Sequence, residues 1–134
     1  LSFAAATAGG PPVLVSAAQE WDAEAKQGVG AVRVWNAETG KRVTELGGHT
    51  SWLGEVTFSR DGRWLASAAA DQTVRLWETS GWKEARVFRG HGDEVHAVAF
   101  SPDGKHLATT SLTFLGQVWA LENFLSVPAA PPSR

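Results

Sequence analysis

One internal offset organises this chain. Shifting the sequence by forty-two residues lays Gly90-His91 on Gly48-His49, Phe100-Ser101 on Phe58-Ser59, Asp103-Gly104 on Asp61-Gly62, Leu107-Ala108 on Leu65-Ala66 and Trp119 on Trp77, without a gap. The same offset carries Thr73-Val74-Arg75-Leu76-Trp77 back onto Ala31-Val32-Arg33-Val34-Trp35. Self-similarity at a fixed period marks a unit of supersecondary structure that cannot bury its apolar faces alone and must stack on its neighbours. Within each unit, short runs of β-branched and aromatic residues are separated by turn pairs, and no helical periodicity runs through them. The unit is therefore a small antiparallel sheet.

Taken in order, Leu1 to Ala8 and Pro12 to Ala18 read as the first two strands, hinged at Gly9-Gly10-Pro11. Gln19 to Gly30 follows and is nine residues longer than its counterpart Ala70 to Gln72. Its mixed polar composition predicts a mobile surface loop, with a turn of helix over Asp22 to Lys26 as the alternative and Trp21 either pinning it down or offered to a partner. Ala31 to Trp35 is the third strand, Asn36 to Gly40 a turn, and Lys41 to Leu46 a polar outer strand. The second unit runs Leu53 to Ser59, Trp64 to Ala69, Thr73 to Trp77 and Glu84 to Arg89. The third runs Val95 to Ser101, His106 to Ser111 and Gly116 to Trp119, with Leu121 to Val127 as its outer strand. Asp61-Gly62 and Asp103-Gly104 predict hairpin turns in which both central residues take positive φ. Pro128 to Arg134 is a Pro-rich tail unsuited to a sheet ladder.

A period in the forties that opens on Gly-His and closes on Trp, with Trp35 and Trp77 each followed by a polar or acidic residue, is the pattern of one four-stranded blade. On these residues the chain resembles the WD-repeat β-propeller family. The resemblance implies an all-β fold of about three antiparallel blades, near residues 1–47, 48–89 and 90–127, followed by a flexible tail at 128–134. Closed propellers use about 4–8 blades, so three span about half a ring and leave two lateral faces open. The chain begins Leu1-Ser2-Phe3 and contains no Met. The expectation is a piece of a longer chain whose remaining blades, seven in all as is most frequent in the family, cover those faces; association of copies is the alternative.

Composition narrows the function. Twelve Lys and Arg stand against 14 Asp and Glu, for a net charge of −2, and no run of like charge exceeds Lys41-Arg42. That lacks the electrostatic footprint of a nucleic-acid binder. No apolar stretch approaches the roughly 20 residues of a membrane helix, so no membrane partner is expected. With no Cys there is neither a disulfide framework nor a thiolate metal site. His96 and His106 are matched in the repeat by Gly54 and Trp64, lack paired ligand spacing, and read as surface imidazoles. Gly9-Gly10, Gly28-x-Gly30 and Gly47-Gly48 lack the strand-to-helix setting of a phosphate loop and read as turn glycines. Neither a cofactor nor a metal is expected. Trp64 and Trp82, each just after a turn, are expected to cover strand edges.

His49, Ser67 and Asp71 have the residue types of a hydrolytic triad. Ser67 lies mid-strand, however, rather than on the strained exposed turn that a nucleophilic serine occupies. The family resemblance implies instead that Trp77, Ser67, His49 and Asp71 form a buried hydrogen-bonded chain, a structural device whose members satisfy one another. In the third unit His91, Thr109 and Trp119 keep three positions while Thr113 stands where Asp71 does, so that network is expected to be incomplete. In the first unit Glu20 and Asp22 are rival acidic positions. The resemblance places partner docking on the face where the links into the first strand and between the second and third strands emerge, here Ser51, Trp52 and Ala70, and Asp93, Glu94 and Leu112. Trp52 is the candidate anchor. The expected function is a non-catalytic protein–protein interaction scaffold. The alternative is an accessory or regulatory propeller portion of a larger multidomain enzyme whose catalytic part lies elsewhere.

Overall fold

A computed structural model describes residues 2–4, 11–113 and 116–121. The strands are β1 (Ser2–Ala4), β2 (Val13–Asp22), β3 (Gln27–Asn36), β4 (Arg42–Leu46), β5 (Leu53–Phe58), β6 (Trp64–Ala69), β7 (Val74–Glu78), β8 (Lys83–Phe88), β9 (Val95–Phe100), β10 (His106–Ser111) and β11 (Gly116–Ala120). They form three antiparallel sheets in sequential order, β1-β2-β3-β4, β5-β6-β7-β8 and β9-β10-β11. No helix occurs among the described residues. The architecture is all-β, in blades, as the repeat requires. Most of the Leu1 to Ala8 strand, part of the Gly9-Gly10-Pro11 hinge, the outer strand expected after Leu121 and the tail at 128–134 lie outside the described residues.

Blade stacking follows from the two-residue period of strands, which sends alternate side chains to opposite faces. In the middle sheet, Leu65, Ala69 and Trp77 pack toward the first sheet, meeting Val15, Val32, Val34 and Leu46. Ala66, Ala68, Val74, Leu76 and Phe88 pack toward the third, meeting Val95, Val98, Leu107 and Leu121. The alanines sit where a neighbouring Leu or Val fills the space between sheets. Leu65, Leu76 and Leu107 are fully buried, and truncation of such a side chain to Ala costs about 2–5 kcal/mol. Trp82 packs edge-on against Phe58 at 6.5 Å, and Arg63 lies 5.8 Å over the Trp64 ring. Both aromatics are partly buried against the cores beside them.

Three expectations are corrected. Gln19 to Gly30 is not a loop: β2 and β3 stay paired from Val13↔Asn36 out to Asp22↔Gln27, so the insertion lengthens a hairpin into a ribbon. Only residues 23–26 turn, with Asp22 Oδ1 accepting the Glu24 and Ala25 N–H groups. Pairing persists because it satisfies the backbone groups of every added residue, and Arg33 ties the strands together by bridging Glu20 and Glu45. Gly28 and Gly30 are accordingly strand rather than turn glycines. A Cβ on Gly30 would lie 2.7 Å from Ser51 O and from Leu53 Cγ, so its bare backbone lets the ribbon close on the second blade. The Asp-Gly turns, finally, place only Gly62 (φ 75°) and Gly104 (φ 72°) at positive φ. Each Asp accepts the N–H two residues on and the preceding serine hydroxyl, Ser59 to Asp61 at 2.7 Å and Ser101 to Asp103 at 2.5 Å, building a longer loop around a hydrogen-bonded turn.

Candidate functional site

The polar chain in the second blade begins at Trp77, whose register partner Leu65 fixes its place two residues from Ser67 on the same face. Trp77 Nε1–H donates to Ser67 Oγ at 3.0 Å, Ser67 Oγ lies 2.7 Å from His49 Nε2, and His49 Nδ1 lies 2.9 Å from Asp71 Oδ2. The indole can only donate, so Ser67 accepts from it and gives its own proton to Nε2; His49 therefore carries its proton on Nδ1 and donates it to the carboxylate. Asp71 also accepts from the Thr50 N–H, the Thr73 N–H and the Thr73 hydroxyl at 3.0, 3.0 and 2.6 Å. Burial pushes the Asp71 carboxyl up, but the hydrogen bonds from His49, Thr73 and the Thr50 N–H outweigh it and hold the group well below the usual carboxylate range. Thr73 is a member that the sequence reading missed. Its signal was the Asp-x-Thr spacing, in which a threonine two residues on caps an aspartate.

These spacings match those of a hydrolytic triad, but the burial does not. Ser67 is 0% and His49 3% exposed, and Ser67 Oγ is occupied by the Trp77 indole. The hydroxyl is thus enclosed rather than presented to solvent, and the chain links the approach to β5, β6, the β6–β7 turn and β7.

The third blade repeats the arrangement in part. Trp119 Nε1–H donates to Thr109 Oγ1 at 3.1 Å, which lies 2.6 Å from His91 Nε2. Thr113 instead pairs with Ser111, at 3.1 Å, and among the described residues His91 Nδ1 is buried without a partner. Burial pushes the pKa of the His91 imidazole down. In the first blade Trp35 Nε1–H donates to Ser16 Oγ at 2.9 Å. Glu20 pairs with Arg33, and Asp22 caps the ribbon turn, so neither stands in an Asp71-like position.

The six loop-face residues fall together where the blades meet. Ala70 N–H donates to Trp52 O and Leu112 N–H to Glu94 O, both at 2.8 Å, the same contact forty-two residues apart. Trp52, Ala70 and Glu94 line a cleft of about 210 Å³ between β5 and β9, together with Gly54 and His96. Ser51 and Asp93 are half-buried beside it, and Leu112 is 47% exposed. Trp52 is 58% exposed, with its indole edge over Gly28 of the ribbon. Gly28 pairs with Trp21, so the 69% exposed Trp21 stands on the ribbon face turned toward Trp52. The grouping of Trp21 with Trp52 was invisible in the sequence because it depends on the ribbon register. At the opposite end, Arg60, Asp61, Pro102, Asp103 and Gly104 line a smaller hollow of about 160 Å³ without an aromatic wall. Among the described residues, no three His, Cys, Asp or Glu converge as a metal site.

Comparison with known proteins agrees with this architecture. A stretch of 44 residues is 48% identical to Nuclear distribution protein PAC1-2 of Uncinocarpus reesii, covering 33% of this chain and 10% of that protein. Over 43 residues, 46% are identical to Apoptotic protease-activating factor 1 of Danio rerio, covering 32% of this chain and 3% of that protein. The chain thus matches a small part of the length of either relative. Residues 40–78 and 82–121 match the family model for the WD domain, G-beta repeat, leaving the first blade, with its lengthened ribbon, largely outside the match. Two matched repeats covering more than half of the sequence, each made of the outer strand of one sheet and three strands of the next, establish that this chain belongs to the WD-repeat family.

Proposed function

We propose that the chain is a non-catalytic protein-interaction module that docks a protein partner on its loop face, through Trp52 and the residues around it. WD repeats generally mediate protein–protein interaction, and one observation carries the reading to this surface. Trp35, Trp77 and Trp119 all place their indole N–H groups on hydroxyls within the blades, whereas Trp52 is 58% exposed at the rim of an inter-blade cleft. A large aromatic at a solvent-facing loop end is the residue type that dominates binding hot spots. Ser51, Ala70, Asp93, Glu94 and Leu112 surround it and supply a mixed polar rim. No cofactor, nucleic acid or membrane enters this reading. In both relatives the matched repeat is a small share of a long chain, which supports a role as the interaction portion of a larger protein.

Photo-cross-linking from single sites tests the assignment. A photoreactive phenylalanine at position 52, 94 or 112 is expected to capture a discrete protein partner in cells, while the same group at Val43, exposed on the outer strand β4, captures none. Capture from position 43 but from no loop-face position would overturn it.

A further inference from the structure

We propose that the cleft between β5 and β9 receives an arginine side chain of the protein partner, an assignment that rests on the loop face being the docking face. At about 210 Å³ the cleft falls below the roughly 300–1,000 Å³ of small-molecule sites, and it suits one long side chain rather than a cofactor. Its walls differ in chemistry. Trp52 offers an exposed indole, and Glu94, half-exposed on the other blade, offers a carboxylate. Among the described residues no Lys or Arg lines the cleft, and the one basic group there, His96, has its Nε2 3.6 Å from Glu94 Oε2, within ion-pair range but beyond a hydrogen bond. An arriving guanidinium therefore competes with this imidazole alone for the carboxylate.

Gly54 also lines the cleft, and its bare backbone lets β9 come close: a Cβ there would fall 2.8 Å from the Val95 carbonyl oxygen and 2.9 Å from that of His96. A ligand entering here meets the Trp52 indole and the Glu94 carboxylate, both of which favour a cation. An anionic group would find no cationic side chain, and an apolar one would strip water from Glu94 without replacing it. Between the two cationic side chains, the planar guanidinium both stacks on an indole and forks onto a carboxylate, while the compact ammonium is more strongly hydrated and does neither as well. Trp21, on the ribbon face turned toward Trp52, extends the aromatic wall toward flanking residues of the partner segment.

The test titrates the ¹⁵N-labelled chain with an acetylated, amidated Gly-Gly-Arg-Gly-Gly peptide and reads the indole N–H signal of Trp52, assigned by its loss in Trp52→Phe. The arginine peptide is expected to shift that signal saturably, while its neutral citrulline counterpart binds about tenfold more weakly. The lysine peptide should be weaker than arginine, and Glu94→Gln should weaken arginine binding about fivefold or more while leaving the buried Trp77 indole signal in place as a sign of folding. Citrulline binding equal to arginine, unchanged affinity in Glu94→Gln, or no Trp52 shift at about 10 mM peptide would overturn the proposal. If position 52 still captures a partner in cells, the loop-face reading stands and the guanidinium assignment alone fails.

Discussion

At the residue scale, the clearest consequences concern the His49, Ser67, Asp71 and Trp77 chain. Trp77→Ala empties a large aromatic site in the core between the first two blades and takes the indole donor from Ser67; unfolding measurements should show a loss of about 3–5 kcal/mol. A melt indistinguishable from wild type would contradict the structural role. Asp71 gives a pH signature. Its folded-state pKa is depressed, so the stability it confers is fully present above its unfolded value of about 3.9 and is lost as pH falls through the lower folded value. Thermal melts from neutral pH downward should therefore show a steeper acid loss in wild type than in Asp71→Asn, and parallel curves would count against the network. The third blade offers the converse experiment. Thr113 occupies the Asp71 position while His91 Nδ1 is buried and unpartnered among the described residues, so Thr113→Asp should supply the missing acceptor and stabilise by about 1–3 kcal/mol, read as a rise in Tm. An unchanged or lowered Tm would show that the turn at Thr113 cannot present a carboxylate to the ring.

At the element scale, Gly30 and Gly28 separate the ribbon from a loop. Gly30→Ala drives a methyl group to 2.7 Å from the Ser51 carbonyl oxygen and should cost about 1–3 kcal/mol in chemical denaturation, whereas Gly28→Ala meets Trp52 at an ordinary 3.5 Å and should be nearly neutral. Equal effects would mean that the ribbon does not lie on the second blade. The contrast shows what the sequence made legible. β6 and β10 were read with the bounds Trp64–Ala69 and His106–Ser111 that the structure shows, because an Asp-Gly turn before each strand and the forty-two-residue repeat agree there. Gln19 to Gly30 has no counterpart in the repeat, and its polar, glycine-containing run lacks the apolar alternation of a half-buried strand. Its pairing comes from register with the adjoining β2 and β3 and from the close approach of Gly30 to β5, neither of which is local in sequence. The Trp21 and Trp52 face was hidden for the same reason. The buried polar chain was legible in its residue types, while Thr73 was overlooked although it adjoins Asp71 by a recognisable spacing.

At the scale of the whole molecule, the central claim is that the three sheets are consecutive propeller blades with two lateral faces left uncovered among the described residues. The third blade shows one of them. Ala108 and Val118 are register partners as Ala66 and Leu76 are in the second blade, yet Ala66 and Leu76 are buried under the third blade while Val118 is 72% exposed. On the first blade Leu14, Ser16 and Trp35 hold the positions of Leu65, Ser67 and Trp77 and are only half-buried. One face has the shape that the other receives within the chain, so the two are complementary head to tail, and further blades or a second copy would cover both. Size exclusion coupled to light scattering tests this most directly. The 134-residue chain alone should elute with a mass of two or more times 14.3 kDa, or bind hydrophobic dye through its open faces. A monodisperse 14.3 kDa monomer that melts cooperatively and binds no dye would contradict the account.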